Sequence, residues 1–306
     1  MSSPLPFRTP SFAEVGDRVW VARHEWFDAN LTLVVGGESA LLVDTHASAA
    51  SMAALLPEIE RVTDRPLSAV VASHSHHDHV LGASAVLDRW PGVDYLAHER
   101  AAAVLVAENE AYAADATRRA EDAAAELTDV ERERLRLQAA SPIVEPSRTL
   151  SAVWAYDLGD RLVEVVHPGR GHTDGDLVVR VGGVEGPGSA VVVTGDLVEE
   201  SAPPVWGPDS WPLEWPGTLD LVLQLTMPGD VVVPGHGALV DRGFVEDQRD
   251  AVGQVAEQVR ALAVSGTRFE DVLAAGEWPY PVEVLDHAVR RAWEHLPRGS
   301  RQLPMA

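Results

Sequence analysis

The 306-residue sequence contains no cysteine. It also contains no lysine, since all 24 of its basic residues are arginine. Without cysteine the protein has no disulfide, no thiol nucleophile, no cysteine-ligated zinc and no iron–sulfur cluster. Without lysine it has no Walker-type phosphate loop, no Schiff-base chemistry and no lysine general base. These two absences exclude several classes of enzyme before any motif is considered.

Positive charge is also scarce, because 24 basic residues stand against 47 aspartates and glutamates, for a formal net charge of −23. Such acidity argues against nucleic acids and anionic membrane surfaces as partners, since like charges repel. No uncharged apolar run approaches the ~18 residues that a membrane span needs. The first 20 residues carry prolines and scattered charges. We therefore expect no signal peptide and a cytoplasmic protein.

Strand and helix patterns alternate along the chain and predict an α/β (α+β) protein whose sheets are covered by helices. Predicted strands cover residues 18–22, 31–35, 40–43, 67–72, 93–97, 153–157, 161–166, 176–181, 190–194 and 231–233. Predicted helices cover residues 49–62 and 83–89, a segment from 218, and residues 241–264, 269–275 and 281–295. No repeat or low-complexity linker divides the chain, so we expect a single domain over residues 1–306.

Residues 98–140 differ from the rest, because they are rich in alanine, glutamate and arginine and contain no glycine or proline. Thr128 and Glu131 have the spacing of a capping box, which predicts two helices divided near Thr128. The segment has too few large apolar residues to enclose a core of its own, so we expect a helical insertion within the domain. A lid, a homodimer contact and an exposed charged helix pair all remain open as its role.

Four of the twelve histidines fall within six positions, in the run His74-Ser75-His76-His77-Asp78-His79. The run follows an apolar strand and precedes a helix, so it lies in a loop at a sheet edge, where functional residues concentrate. In an extended backbone, residues two apart point the same way. His74 and His76 are therefore placed to chelate one metal, while Asp78 and His79 reach a second.

Three more residues that commonly bind metals follow apolar strand patterns. His172 lies in Gly-His-Thr-Asp-Gly-Asp, Asp196 in Thr-Gly-Asp after three valines, and His236 in Pro-Gly-His-Gly after three valines. The neighbouring glycines permit tight turns and close backbone approach. A lone histidine is more often a satisfied core or surface residue than a ligand. Ligand-type residues at several independent strand ends make metal binding the better interpretation here.

Taken together, the segments HSHHDH, GHTDGD, VVVTGD and VVVPGHG resemble the metallo-β-lactamase superfamily, and they do so in the expected order over nearly the whole chain. The resemblance implies a four-layer αββα sandwich with metals at one edge of the two sheets. It also implies that His74, His76 and His172 bind the first metal. Asp78, His79 and His236 would bind the second metal, and Asp196 would bridge both. His77 occupies a variable position and is not expected to be a ligand.

The expected cofactor is a pair of zinc ions, because imidazole and carboxylate donors without thiolate suit zinc, although iron or manganese would also fit. Two such ions would lower the pKa of a bridging water toward ~7 and make hydroxide available to attack a carbonyl. Asp78 would orient this nucleophile and then move its proton. We therefore expect a dinuclear zinc hydrolase acting on a small ester, thioester, lactone or β-lactam.

Two other functions stay open, a mononuclear iron enzyme that resembles persulfide dioxygenases and a non-catalytic member of the fold. The sequence departs from the secreted β-lactamases, because Asp196 stands where those enzymes have a cysteine ligand. It resembles the glyoxalase II and lactonase branches more closely, although quorum-signal lactonases often have a tyrosine at the position of Glu199. Only an arginine, such as Arg23 or Arg170, could replace the lysine that grips a β-lactam carboxylate.

Further residues are weaker candidates. Asp44 matches a family position that supports the ligand histidines from outside, or it is a plain turn aspartate. Trp26 and Phe27 lie where family members carry a loop over the substrate. Trp206 and Trp211 either wall an apolar substrate pocket or simply pack their proline-rich loop. No role is expected for His46, His98, His167, His287 and His295.

Overall fold

The computed structural model describes residues 5–183 and 186–297, in which strands and helices alternate. The strands are β1 (Ala13–Gly16), β2 (Val19–His24), β3 (Ala29–Val35), β4 (Ala40–Val43), β5 (Leu67–Val71), β6 (Asp94–His98), β7 (Arg148–Leu150), β8 (Val153–Asp157), β9 (Leu162–Val166), β10 (Val178–Val181), β11 (Val191–Glu199) and β12 (Val231–His236). The helices are α1 (Ala49–Val62), α2 (His77–Val80), α3 (Ala83–Arg89), α4 (Glu99–Glu121), α5 (Asp129–Ala139), α6 (Trp215–Leu225), α7 (Arg242–Val264), α8 (Val272–Ala275) and α9 (Asp286–His295), with 3₁₀ turns at Phe269–Asp271 and Val282–Val284.

The strands form two halves that meet at one narrow junction. The hydrogen-bonded order is β7-β6-β5-β4-β3-β12-β11-β10-β9-β8, and β2 and β1 extend from β3. β3 and β12 pair only through Ala29 and His236. One half therefore comprises β1 to β7 and the other β8 to β12, and a candidate metal ligand lies at the junction.

Alternating apolar residues pack the two halves face to face. In β4, Leu41 and Val43 belong to the core between the sheets, whereas Leu42 faces the helices outside. In β11, Val191 and Val193 face inward and Val192 faces outward. Strands that are buried on both faces read as continuous apolar runs, which is why both segments were predictable as strands.

Helices cover both outer faces of the sandwich. Helices α1, α3 and α4 pack over the first half, with Met52, Leu55 and Leu105 fully buried. Helices α6, α7 and α9 cover the second half around Trp215 and Val255. The expected four-layer αββα architecture is confirmed. None of the described helices combines the length and the apolar character that crossing a membrane requires.

The helical insertion consists of α4 and α5. The Thr128 side chain accepts a hydrogen bond from the Glu131 backbone and the Glu131 side chain accepts one from the Thr128 backbone, so the predicted capping box is present. The two helices enclose only a small cluster around Ala116, Ala120 and Leu135. The start of α4 joins the main core through Leu105, and a helix pair this small cannot bury a core alone.

Most differences from the predicted elements are at short or irregular segments. β1 and β7 escaped prediction because they are three or four residues long and mostly exposed. β11 continues to Glu199 beyond the predicted end at 194, through register shifts on either side of Gly195. Gly195 has φ of +52°, a conformation that glycine adopts without strain. Asp196 therefore lies within a strand and not after it.

Candidate metal centre

Asp44 holds the histidine-rich segment in place. It follows β4, whose parallel neighbour β5 leads into His74, so both segments emerge at the same sheet edge. The Asp44 carboxylate accepts hydrogen bonds from Ser73 N (2.7 Å), Ser73 Oγ (2.8 Å) and His79 Nδ1 (2.8 Å). The sequence left Asp44 as either a turn residue or a support for the histidines. Its hydrogen bonds to Ser73 and His79 make it a support at both ends of the segment.

Two groups of candidate ligands converge beside each other. One comprises His74, His76 and His172, and the other Asp78, His79 and His236, with potential ligand atoms within 4.8 Å of one another in each group. In the first group His76 Nδ1 lies 2.9 Å from His172 Nε2. In the second, His236 Nε2 lies 3.2 Å from His79 Nε2 and 3.3 Å from Asp78 Oδ2. The structure brings together all six residues from strand ends that are far apart in sequence.

Asp196 lies between the two groups. Its Oδ2 is 3.4 Å from His172 Nε2, and its Oδ1 is 3.1 Å from His79 Nε2, so the carboxylate faces both sets. Strand β12 passes close behind it, since a Cβ atom at Gly235 would lie 1.8 Å from Asp196 Oδ1. Only glycine at this position leaves room for the carboxylate between the groups.

Each of the five histidines uses its outward nitrogen in a hydrogen bond to an oxygen. The pairs are His74 Nδ1 with Ser73 Oγ (3.0 Å), His76 Nε2 with Asp209 Oδ2 (2.9 Å), His79 Nδ1 with Asp44 Oδ2 (2.8 Å), His172 Nδ1 with Val205 O (3.0 Å) and His236 Nδ1 with Phe27 O (2.7 Å). Carboxylates and carbonyls only accept, and Ser73 Oγ already donates to Asp44. The outward nitrogens therefore carry the protons, as is typical of metal-binding histidines.

The inward nitrogens consequently face each other with lone pairs at 2.9 and 3.2 Å, an arrangement that is repulsive without a cation. His74 Nε2 and Asp196 Oδ1 are buried and have no hydrogen-bond partner among the described residues. Buried polar atoms are almost always satisfied, and a cation between the two groups would satisfy both of these atoms. The donor set fits metal ions, and nitrogen and carboxylate donors without sulfur suit zinc.

The charges at the site perturb the ionisation of its groups. Burial alone would raise the pKa of Asp196, but His236 and His79 hold it well below its ordinary value. Burial lowers the pKa of His172 to about 4. Burial, followed by the negative charge of Asp196, raises the pKa of Glu199 to about 7. Strong perturbation of several buried groups in one cavity is typical of functional sites.

The two ligand groups open into a cavity of about 280 Å³, hereafter the metal cavity. Its lining consists of Phe27, His76, His77, Asp78, His172, Asp196, Glu199, Ser201, Ala202, Val205 and His236. This lining contains no arginine. The cavity thus presents the candidate ligands to solvent beside a small apolar wall.

Phe27 forms part of that wall and is 38% exposed. Phe27 and Asp28 both have positive φ, at +67° and +58°, which is unusual for two consecutive residues other than glycine. The turn is held because Phe27 O accepts from His236 Nδ1 and Asp28 O accepts from Gly237 N at 3.0 Å. The strained turn therefore orients a ligand histidine and places an aromatic ring at the cavity mouth.

The structure does not place the two predicted tryptophans in the metal cavity. Trp206 is 3% exposed and packs edge to face on Trp215 and Tyr280 in the helical layer. Trp211 stacks on His295 at 4.3 Å and lies under the Arg170 guanidinium at 3.8 Å. Of the two interpretations given for these residues, packing of the proline-rich loop is the one that the structure shows, because the loop turns both rings toward α6 and α9.

The remaining substrate candidate, Trp26, is also buried and does not line the metal cavity. It stacks between Phe7 and Phe27, with ring centroids 5.9 and 5.7 Å away. Its indole lines a neighbouring cavity next to the helical insertion. Of the four predicted substrate contacts, only Phe27 lies at the metal cavity.

Sequence reasoning missed Asp209 and assigned no role to Glu199. Asp209 lies in the loop after β11 and accepts from His76 Nε2, a contact between residues 133 positions apart. Glu199 ends β11 with its side chain 4.8 Å or less from ligand atoms of Asp196 and His236. No local sequence pattern marks Asp209. Glu199 follows Asp196 by three positions, and this spacing could have indicated that it lies near the candidate ligands.

The chain is similar in sequence to known metal-dependent proteins of one family. Residues 24–236 match the family model described as the metallo-beta-lactamase superfamily. The metallo-beta-lactamase type 2 of Bacillus cereus is 23% identical over 245 residues, which cover 78% of this chain and 80% of that protein.

Solved structures show the same fold. A metallo-beta-lactamase from Pontibacter korlensis superposes with a TM-score of 0.59 at 22% identity, over 80% of this chain and 99% of that one. A double mutant of the sec-alkyl sulfatase PisA1 superposes with a TM-score of 0.70 at 18% identity, over 93% of this chain and 50% of that one. Because the family model matches more than half of the chain and includes all seven candidate ligands, this protein belongs to the metallo-β-lactamase superfamily.

Proposed function

We propose that this protein is a dinuclear zinc hydrolase that cleaves a small, uncharged carbonyl substrate, an ester or a lactone. One observation carries the proposal. Five histidines are protonated on their outward nitrogens, so the lone pairs of their inward nitrogens face two adjacent positions. The Asp196 carboxylate lies between these two positions.

His74, His76 and His172 would hold one ion, Asp78, His79 and His236 the other, and Asp196 both. When bound, the ions would supply a hydroxide nucleophile at neutral pH and stabilise negative charge on the carbonyl oxygen. Iron or manganese would fit the same donors.

Asp78 lines the metal cavity with its Oδ2 3.3 Å from His236 Nε2, so it can accept a hydrogen bond from an attacking water. Burial alone would raise the pKa of Asp78, but His77, His79 and His236 hold it well below its ordinary value, so its carboxylate is ionised. The same carboxylate can return the proton to the departing alkoxide. Phe27 lines the same cavity as Asp78.

Apart from the ions, the metal cavity offers no fixed cation to an anionic acyl group. Its lining contains no arginine, and the bound ions would offset its three carboxylates. Arg23 is bound to both oxygens of Asp28 at 2.6 and 2.7 Å, and Arg170 to both oxygens of Glu214 at 2.9 and 2.6 Å. Neither guanidinium is available to a substrate carboxylate, which disfavours β-lactams and anionic sulfate esters.

The test loads the full chain with zinc, counts bound metal, and compares 4-nitrophenyl acetate and γ-butyrolactone with a chromogenic cephalosporin and an alkyl sulfate. We expect about two zinc ions per chain and hydrolysis of the ester or the lactone at least tenfold faster than that of either anion. Asp196→Asn should remove activity and zinc, while Asp64→Asn, at an exposed aspartate, should change neither.

Two results would contradict the proposal. A zinc-loaded protein that hydrolyses none of the four substrates would remove the hydrolase assignment. Iron in the native protein together with oxygen consumption on a persulfide would instead support the alternative of an iron oxygenase.

A further inference from the structure

A second cavity, of about 320 Å³, lies beside the metal cavity, between the β2–β3 turn and the helical insertion. We call it the side cavity. Its lining includes Trp26 and Phe27 from the turn, Tyr112 from α4, Leu127 before α5, and Leu135 and Gln138 from α5. Its volume is within the range of small-molecule sites.

The two cavities adjoin at three aromatic rings. Phe27 lines both cavities. Tyr112 lines the side cavity and stacks on His77, with ring centroids 3.6 Å apart and planes 17° apart. His77 lines the metal cavity and meets Phe27 edge to face at 5.4 Å. Phe27 is the residue that the two linings share, so an arm of a substrate held at the metals would reach the side cavity by passing this ring.

Most polar groups in the lining of the side cavity are already bonded within the protein. The Glu131 carboxylate accepts from Thr128 N and Oγ1, both at 2.7 Å. The Arg134 guanidinium donates to Pro6 O at 3.1 Å and lies over the Trp26 ring at 5.5 Å. The third charged residue of the lining, Arg119, is 54% exposed and lies 4.0 Å from the Asp115 carboxylate. Apart from this guanidinium, the surface left for a ligand is mainly that of aromatic and leucine side chains, which suits an apolar group.

One buried polar atom of a lining residue has no partner. Gln138 is 1% exposed, and its Oε1 accepts from Tyr112 Oη at 3.1 Å, whereas its Nε2 has no hydrogen bond among the described residues. An unsatisfied buried amide donor costs free energy, and a rotation of this side chain toward the cavity would let a ligand oxygen accept from it.

We propose that the side cavity is an acyl-arm subsite, so that the substrate is an ester or lactone whose acyl group carries an apolar arm of several carbons. This inference rests on the proposed function for the chemistry at the metals. It assigns the helical insertion a role as one wall of the substrate site, and Phe27 and Tyr112 as residues that select the acyl group.

The test fills the side cavity and changes nothing at the metals. Leu127→Trp adds bulk at a lining position, and Val130→Trp makes a similar change at an exposed position on α5 outside the lining. For the zinc-loaded full chain we compare kcat/KM on 4-nitrophenyl octanoate and 4-nitrophenyl acetate. Binding of octanamide, which carries the same arm, is measured by calorimetry.

We expect the unsubstituted protein to prefer octanoate, and Leu127→Trp to reduce that preference by roughly tenfold while acetate hydrolysis stays within about twofold. Val130→Trp should leave both rates and octanamide affinity unchanged. An unchanged preference in Leu127→Trp would overturn the subsite.

Octanamide binding separates this inference from the proposed function. If no ester is hydrolysed, weaker octanamide binding by Leu127→Trp still supports the subsite, although the hydrolase assignment fails. Equal octanamide affinity in both proteins, or no measurable binding, would overturn the subsite whatever the hydrolysis assays give.

Discussion

Two groups of buried histidines lie near each other and differ in what surrounds them. At the metal centre, His79 and His236 contact Asp78 and Asp196. A short distance away, His24 and His46 stack with ring centroids 3.9 Å apart. His46 bonds through both nitrogens, to Ser51 Oγ and Trp26 O, and the described residues place no carboxylate in hydrogen-bond contact with either ring of this pair.

The difference explains why two clusters of the same residue have different chemistry. Burial lowers the pKa of His24 to about 4, so this ring stays neutral and packs as an aromatic side chain. At the candidate metal centre burial lowers the pKa of His172 to about 4 as well, but the carboxylates raise the pKa of His79 and His236 against the effect of burial. The carboxylates therefore favour positive charge in that part of the centre. A buried site with favoured positive charge and inward lone pairs is suited to bind a cation.

The largest expected effect comes from removing one histidine from each group and comparing the two variants. His236→Ala should reduce bound zinc from about two to one per chain and lower kcat/KM by on the order of 10³, because a metal contributes several kcal/mol to catalysis. His46→Ala should retain zinc while losing stability. Metal analysis and ester hydrolysis check both variants, and equal zinc loss in the two would refute the distinction.

The next largest effect is expected from Asp44, which fixes His79 and Ser73 from outside the site. Asp44→Asn should weaken zinc affinity by about 10- to 100-fold, since such supporting carboxylates orient the ligands and raise their basicity. Competition with a chromogenic chelator measures the affinity. The exposed Asp64→Asn variant is the control, and affinity equal to that control would assign Asp44 to a plain turn.

Asp209 supports His76 in the same way but is about one-quarter exposed. Solvent weakens its interaction, so we expect Asp209→Asn to weaken zinc binding by roughly tenfold, at the low end of the effect of supporting residues. Since zinc should be lost first from the group containing His76, spectra of the cobalt-substituted variant should change at one site. If the cobalt spectra of Asp209→Asn and of the unsubstituted protein are identical, Asp209 does not support His76 as a ligand.

The last prediction concerns stability and not activity or zinc binding, and it uses pH to sharpen the contrast at His24. Because the folded state resists protonation of His24, stability is present above the ordinary pKa of about 6.5 and is lost as pH falls toward 4. The shift of His24 should make the free energy of unfolding about 2 kcal/mol lower at pH 5 than at pH 7. Denaturant unfolding of His24→Gln should show a smaller loss over that interval, and parallel curves for the two proteins would contradict the shift.

The regular elements were largely predictable because their signals are local. Helices 49–62 and 83–89 and strands 40–43 and 153–157 have the predicted bounds, and the capping box begins α5 where expected. β1 and β7 were not predictable, because short exposed strands carry no apolar pattern. The directions of the Trp206 and Trp211 rings were left open, because a proline-rich loop does not reveal which way its side chains point.

The sequence by itself determined the chemistry available to this protein. With no thiol and no amine, and with histidines and aspartates at the ends of apolar strands, it indicated the metal ligands and the family. Tertiary structure decided how those ligands are supported and what lies beside them. The Asp209–His76 hydrogen bond joins residues 133 positions apart, and the side cavity arises only where the insertion packs on the β2–β3 turn. Strand periodicity is a property of neighbouring residues, whereas contacts between distant segments exist only after the chain has folded.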